Sequence, residues 1–188
     1  MKYLTSAILL FASSFSCYAQ VSTPKIPPLD KSPMDMSYYP VNYPILKIQN
    51  KVTEPLAIRV IYSRPQLNGR SVFGGLQEYG EVWRLGANEA TEIEFFKDAI
   101  INDKKIKKGR YTLYAIPFPD KWTLIINKET DTWGSFRYDS SKDLVRMDLP
   151  VQKNESTEDM TIVFEKAPAG ANMNMYWAEA KVVLPIKF

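Results

Sequence analysis

Histidine is absent from this chain, and of its 188 residues one, Cys17, is a cysteine. Without histidine there is no Ser–His or Cys–His nucleophile pair and no imidazole base. The usual zinc and copper ligand sets are excluded as well. Cys17 sits in an apolar N-terminal leader, so a mature chain lacks disulfides, a thiolate nucleophile and iron–sulfur clusters. An excess of one charge is also missing: 24 Lys and Arg stand against 21 Asp and Glu, a formal +3 that becomes +2 when Lys2 leaves with the leader. The basic residues are scattered, whereas a nucleic-acid partner calls for a clustered basic face. The densest run, "DKKIKK" at 103–108, reads as a solvated hairpin tip. No apolar run reaches the roughly 20 residues that a membrane span needs. No amphipathic helix of three turns and no solenoid or propeller period is visible.

What the sequence does contain begins with residues 1–19, "MKYLTSAILLFASSFSCYA". Lys2 supplies a positive start, Leu4 to Phe15 is mostly apolar, and Ala19 precedes Gln20. That is the pattern of a secretory signal peptide, and the expected compartment is periplasmic or extracellular. Cys17 raises lipid attachment as the lesser alternative, but Ser14 stands where a lipoprotein leader places an aliphatic residue. Residues 20–44 hold six of the thirteen prolines. Proline fixes φ and donates no ladder hydrogen bond, so this segment is expected to be an extended tether, its end pinned by Tyr38, Tyr39 and Tyr43.

From Leu46 onward the period is two. "LAIRVIYSR" places Leu56, Ile58, Val60 and Tyr62 on one face. "TEIEFF" turns Ile93 and Phe95 inward and Glu92 and Glu94 outward. "LVRMDLPVQ" sets Val145, Met147, Leu149 and Val151 against polar neighbours. "GRYTLYAIP", "WTLIIN", "MTIVFE" and "YWAEAKVVLPIKF" complete the pattern, with turn dipeptides between. About eight strands, each burying one face, predict a single all-β domain over 45–188. An antiparallel β-sandwich is expected, with an open barrel as its variant. Pro150 and Pro185 within strand patterns point to sheet edges or bulges.

The candidate chemistry gathers at residues 62–91. Arg64, Arg70 and Arg84 offer forks for a carboxylate or phosphate. Trp83 and Phe73 offer walls, and Asn88 and Glu89 offer polar contacts. The same residues could instead brace the fold, with Arg84 paired to Glu89 or a carbonyl and Asn88 closing its own turn. The glycines lack phosphate-loop spacing. Glu78, Glu81, Glu89, Glu92 and Glu94 contain any catalytic carboxylate pair, with Glu89 the leading acid or base. "DSSKDL" at 139–144 opens like a calcium loop, but Leu144 and Pro150 stand where glycine and glutamate belong. "NKETDTWG" at 127–134 also alternates oxygens and reads as a polar hairpin loop. No metal or other cofactor is therefore expected. Trp122 and Trp177 lie in strand patterns and read as core, whereas Trp133, before Gly134, reads as exposed and able to stack on a sugar ring.

"YSRPQLNGRSVFGG", "YGEVWRLGANEAT", "KKGRYTLYAIP" and "WTLIIN", in that order, resemble a family of secreted bacterial proteins classed as domain of unknown function 2911. The resemblance runs from about Ser32 to the C-terminus. Arg64, Pro65, Gly69, Arg70, Phe73, Gly74, Trp83, Arg84, Gly86, Ala87 and Asn88 match its motif positions. It implies export and a single β-rich domain, and it carries over no catalytic residue. The leading expectation is a noncatalytic binding or envelope-associated module. It would recognise a small polar ligand, a glycan or an envelope partner through Arg64, Arg70, Trp83, Arg84, Asn88 and Glu89. The alternatives are a carboxylate-dependent enzyme acting on an extracytoplasmic glycan, and a purely structural β domain.

Overall fold

Strands that bury alternate residues need a second layer to cover their apolar side. The computed structural model, which describes residues 25–188, supplies it with two antiparallel sheets. In chain order the strands are β1 (Met34–Tyr39), β2 (Ile58–Ser63), β3 (Glu92–Phe95), β4 (Ala99–Ile101), β5 (Lys104–Ile106), β6 (Gly109–Pro117), β7 (Lys121–Asn127), β8 (Asp143–Pro150), β9 (Gln152–Ala167) and β10 (Gly170–Lys187). One sheet has six strands in the order β1-β2-β3-β6-β7-β8, the other four in the order β5-β4-β10-β9. The sheets do not close into a barrel, and the arrangement is that of a sandwich. One short helix, α1 (Tyr43–Ile48), joins β1 to β2. The leader at 1–19 and Cys17 lie outside the described residues.

The alternation read in the sequence sets the inner faces. Ile58, Val60 and Tyr62 of β2, Ile93 and Phe95 of β3, and Val145 and Leu149 of β8 are buried. β6 and β7 depart from it, because Leu113, Tyr114, Ala115 and Leu124, Ile125, Ile126 are buried in succession. Tyr114 and Ile125 pack with Ala90 in a small second core on the outer face, beside Val82 and Tyr138. Loops therefore cover the middle of the six-stranded sheet on its outer side. Each large side chain buried there contributes about 1.5–3 kcal/mol.

Two boundaries differ from the sequence reading. Residues 34–39, expected in the tether, form β1, paired with β2 from Met34↔Ser63 to Tyr39↔Ile58. Pro33 and Pro40 flank this edge strand rather than interrupt it, so no ladder donor is lost. Tyr39 pins it to the other sheet, its hydroxyl donating to the Gly170 carbonyl at 2.9 Å. The run at 103–108 is more than a hairpin tip. Asn102 and Asp103, at φ 49° and 57°, make the turn, and Lys104–Ile106 are β5.

Pro150 lies on β8, an edge strand. Pro185 lies on internal β10, but past Lys181↔Gln152, the end of its pairing with β9. β10 itself bends sharply. Its register shifts on either side of Ala178, which has φ 51°. Its two ends meet, with the Phe188 N–H donating to the Ala169 carbonyl at 3.0 Å. A straight strand rises about 3.3 Å per residue, so ends this far apart in sequence touch only through that bend.

Candidate functional site

The loop that carries the motif is held at both ends by β6. The Trp83 N–H donates to the Ala115 carbonyl at 2.7 Å and the Ala115 N–H returns the bond at 2.9 Å. Further along β6, the Leu113 N–H donates to Thr91 at 2.8 Å, and the Thr91 N–H closes the loop on the Arg84 carbonyl at 3.0 Å. Between these anchors the backbone turns through Leu85 at φ 53° and Asn88 at φ 58°. A positive φ is readily adopted by Asn but strained for Leu. Gly86 runs close to β2, where a Cβ would lie 3.2 Å from the Ser63 carbonyl and 3.3 Å from Thr91 Oγ1.

Trp83 is core rather than an open wall, with 3% of its surface exposed. Its ring stacks on Trp177 with centroids 5.5 Å apart and meets Trp122 edge-on at 5.5 Å. Phe73 packs against all three tryptophans at 5.3 to 6.0 Å. This aromatic cluster separates two cavities. Phe73 and Trp122 line a cleft of about 590 Å³ together with Tyr79, Ala178 and Glu179. Trp83 and Trp177 line a smaller cavity of about 260 Å³ together with Arg84, Gln77 and Ser32. Arg70 lines both. Leu85 and Ala178 are the residues other than Asn, Asp and Gly with positive φ among those described. Leu85 follows Arg84 at the smaller cavity, and Ala178 lines the larger cleft. Backbone strain of this kind collects where a site must be shaped.

The three arginines have different fates. Arg64 is engaged at each of its three nitrogens: Nε donates to the Met160 carbonyl at 3.1 Å, Nη1 to Asp35 at 3.0 Å, and Nη2 to Thr161 Oγ1 at 2.9 Å. It ties β1 and β2 to β9 and is a brace. Arg70 braces its own turn, donating to the carbonyls of Leu67 at 2.9 Å and Gln66 at 2.6 Å. Arg84 is different. Its Nε is buried without a partner among the described residues, and burial alone lowers its pKa. The pairing of Arg84 with Glu89, one of the two ways in which it could have braced the fold, is not formed. Trp177, 2% exposed, likewise has a buried Nε1–H with no acceptor. Both orphaned donors belong to residues that line the 260 Å³ cavity, and no Asp or Glu lines it. Buried donors of this kind usually have an acceptor.

Asn88 and Glu89 lie on the far side of the loop. The Asn88 carbonyl accepts from the Gly134 N–H at 2.9 Å, and Glu89 forms a bridge with Trp133. Glu89 lines a separate recess with Glu92 and Asp131. The carboxylates of Glu92 and Asp131 there are paired with Arg110 at 3.3 and 2.6 Å. At the calcium-like stretch, Asp139 caps a turn by accepting from Ser141, and Asp143 is bonded by Asn127, Tyr138 and Arg146. No cluster of three or more acidic residues placed to hold a metal occurs among the described residues. The Trp177 indole escaped sequence reasoning because its strand pattern announces burial and says nothing of its N–H.

A protein-family model described as "Protein of unknown function (DUF2911)" matches residues 44–186. Comparisons with curated proteins and with solved structures return no match.

Proposed function

The chain belongs to the DUF2911 family, whose description names no activity, and from its site we propose a noncatalytic binding module that takes a small oxyanion, a carboxylate or a phosphate. One observation carries this reading: the unpartnered Arg84 Nε and the unpartnered Trp177 Nε1–H belong to residues of one cavity. A guanidinium fork matches the two oxygens of either group, and aromatic walls strengthen the attraction by excluding water. Arg70, fixed by its own turn, adds a second positive charge at the rim. At about 260 Å³ the cavity suits a small organic acid or phosphate better than a drug-sized molecule. Export is part of the proposal, and it rests on the leader at 1–19 and on the secreted family that the motifs resemble.

The test is calorimetric titration and thermal melting of the protein from Gln20. The probes are short carboxylates, inorganic phosphate and, as a neutral control, glycerol. Binding to the native state raises the midpoint by mass action. One class of oxyanion raises it, and Arg84→Gln weakens that binding by about tenfold to a hundredfold. Equal binding by wild type and Arg84→Gln, or silence across the oxyanions, overturns the proposal. Carboxylate against phosphate is decided by which arm responds.

A further inference from the structure

Trp133 and Phe136 are 62% and 82% exposed, although the loop that carries them is firmly held. The Ala90 N–H donates to the Thr132 carbonyl at 3.0 Å, and the Gly134 N–H to Asn88 at 2.9 Å. Ser135 Oγ donates to Val82 at 2.9 Å. Gly134, at φ 66°, lies under the Phe136 ring, where a Cβ would come within 2.8 Å of it. Two large aromatic side chains are thus kept in water by a fixed backbone, and a pre-ordered platform loses little entropy when something stacks on it.

The surroundings narrow what that partner is. Trp133 and Phe136 border a depression of about 630 Å³ whose rim carries Glu129, Asp131, Arg137 and Lys142. Glu129 is paired with Lys142, and Asp131 with Arg110. The rim therefore offers donors and acceptors without a dominant charge. Anionic lipid calls for a rim with an excess of basic residues, and here Arg137 and Lys142 are matched by Glu129 and Asp131. A sugar ring fits better: its C–H face stacks on the electron-rich face of an indole, and its hydroxyls both donate and accept. We infer that the Trp133–Phe136 loop is a saccharide-binding platform for an uncharged pyranose chain. It shares no lining residue with the Arg84 cavity and does not depend on the oxyanion reading.

Tryptophan fluorescence tests this directly. Trp83, Trp122 and Trp177 are 3%, 1% and 2% exposed, so acrylamide reaches chiefly Trp133. The protein is titrated with oligosaccharides of glucose, mannose, galactose and N-acetylglucosamine, and separately with phosphatidylglycerol vesicles. The expected result is a blue shift and protection from acrylamide by at least one oligosaccharide. Calorimetry then shows that binding is lost in Trp133→Ala and weakened about tenfold in Phe136→Ala. Circular dichroism confirms that the exposed-residue variants fold. Silence from every oligosaccharide, protection by vesicles alone, or unchanged binding in Trp133→Ala overturns the inference.

Discussion

Trp83 and Trp177 stack with ring centroids 5.5 Å apart and planes inclined by 18°, yet their polar ends are treated differently. The Trp83 indole N–H donates to the Gly86 carbonyl at 3.1 Å, whereas the Trp177 N–H finds no acceptor among the described residues. The stack joins the loop on β6 to β10 of the opposite sheet. Both rings line the smaller cavity, and the N–H of one of them has no partner among the described residues. Trp177→Phe keeps an aromatic ring and deletes that donor. Loss of ring volume and relief of an orphaned N–H oppose each other, so the stability change is expected to stay below about 2 kcal/mol. Oxyanion affinity falls by about threefold to tenfold in calorimetric titration. Unchanged affinity would remove Trp177 from the site.

Gly86 is fixed by space. Its missing side chain is what lets the loop lie against Ser63 and Thr91, at 3.2 and 3.3 Å from where a Cβ would stand. The same residue supplies the acceptor for Trp83. Gly86→Ala is expected to cost about 1–3 kcal/mol by overpacking, read as a lower urea midpoint with an unchanged slope.

One source of acid dependence lies at the base of the β4–β5 hairpin. Asp98 accepts from the Lys108 N–H at 2.9 Å and pairs with Lys105 and Lys107. The Lys108 N–H first, and then the lysines, hold its carboxyl at about 2. The unfolded value is about 3.9, so the folded state binds its proton less readily. The stability Asp98 contributes is therefore present above about pH 4 and is lost as pH falls through about 2. Asp98→Asn is expected to flatten the urea midpoint between pH 4 and 2 relative to wild type. An unchanged acid slope would place the dependence elsewhere.

The inner faces of β2, β3 and β8 were legible because burial on one side leaves a period of two. β6 and β7 were legible only as apolar runs, since the small core around Tyr114 and Ile125 buries their second face. β1 was hidden by flanking prolines. The first half of β9, "QKNESTED", was hidden because much of it is exposed and polar. Pro185 marks an edge only locally: β10 is internal in the sheet order, but it outruns β9 and leaves that stretch without a β9 neighbour. At the site, the arginines were legible as a cluster but not as individuals. Whether Arg64 is tied down depends on Asp35, Met160 and Thr161, which come from distant strands.

The contrast between Arg64 and Arg84 carries the account, and methionine at each position preserves the aliphatic stem while deleting the charge. Unfolding free energies of Arg64→Met and Arg84→Met, measured in urea without ligand, test it most directly. Arg64→Met should lose about 1.5–3 kcal/mol, because charged hydrogen bonds across the sandwich disappear. Arg84→Met should stay within about 0.5 kcal/mol of wild type or gain, because an unpartnered buried donor is removed. If Arg84→Met is destabilised as much as Arg64→Met, Arg84 is a brace, and the cavity has no claim as a ligand site.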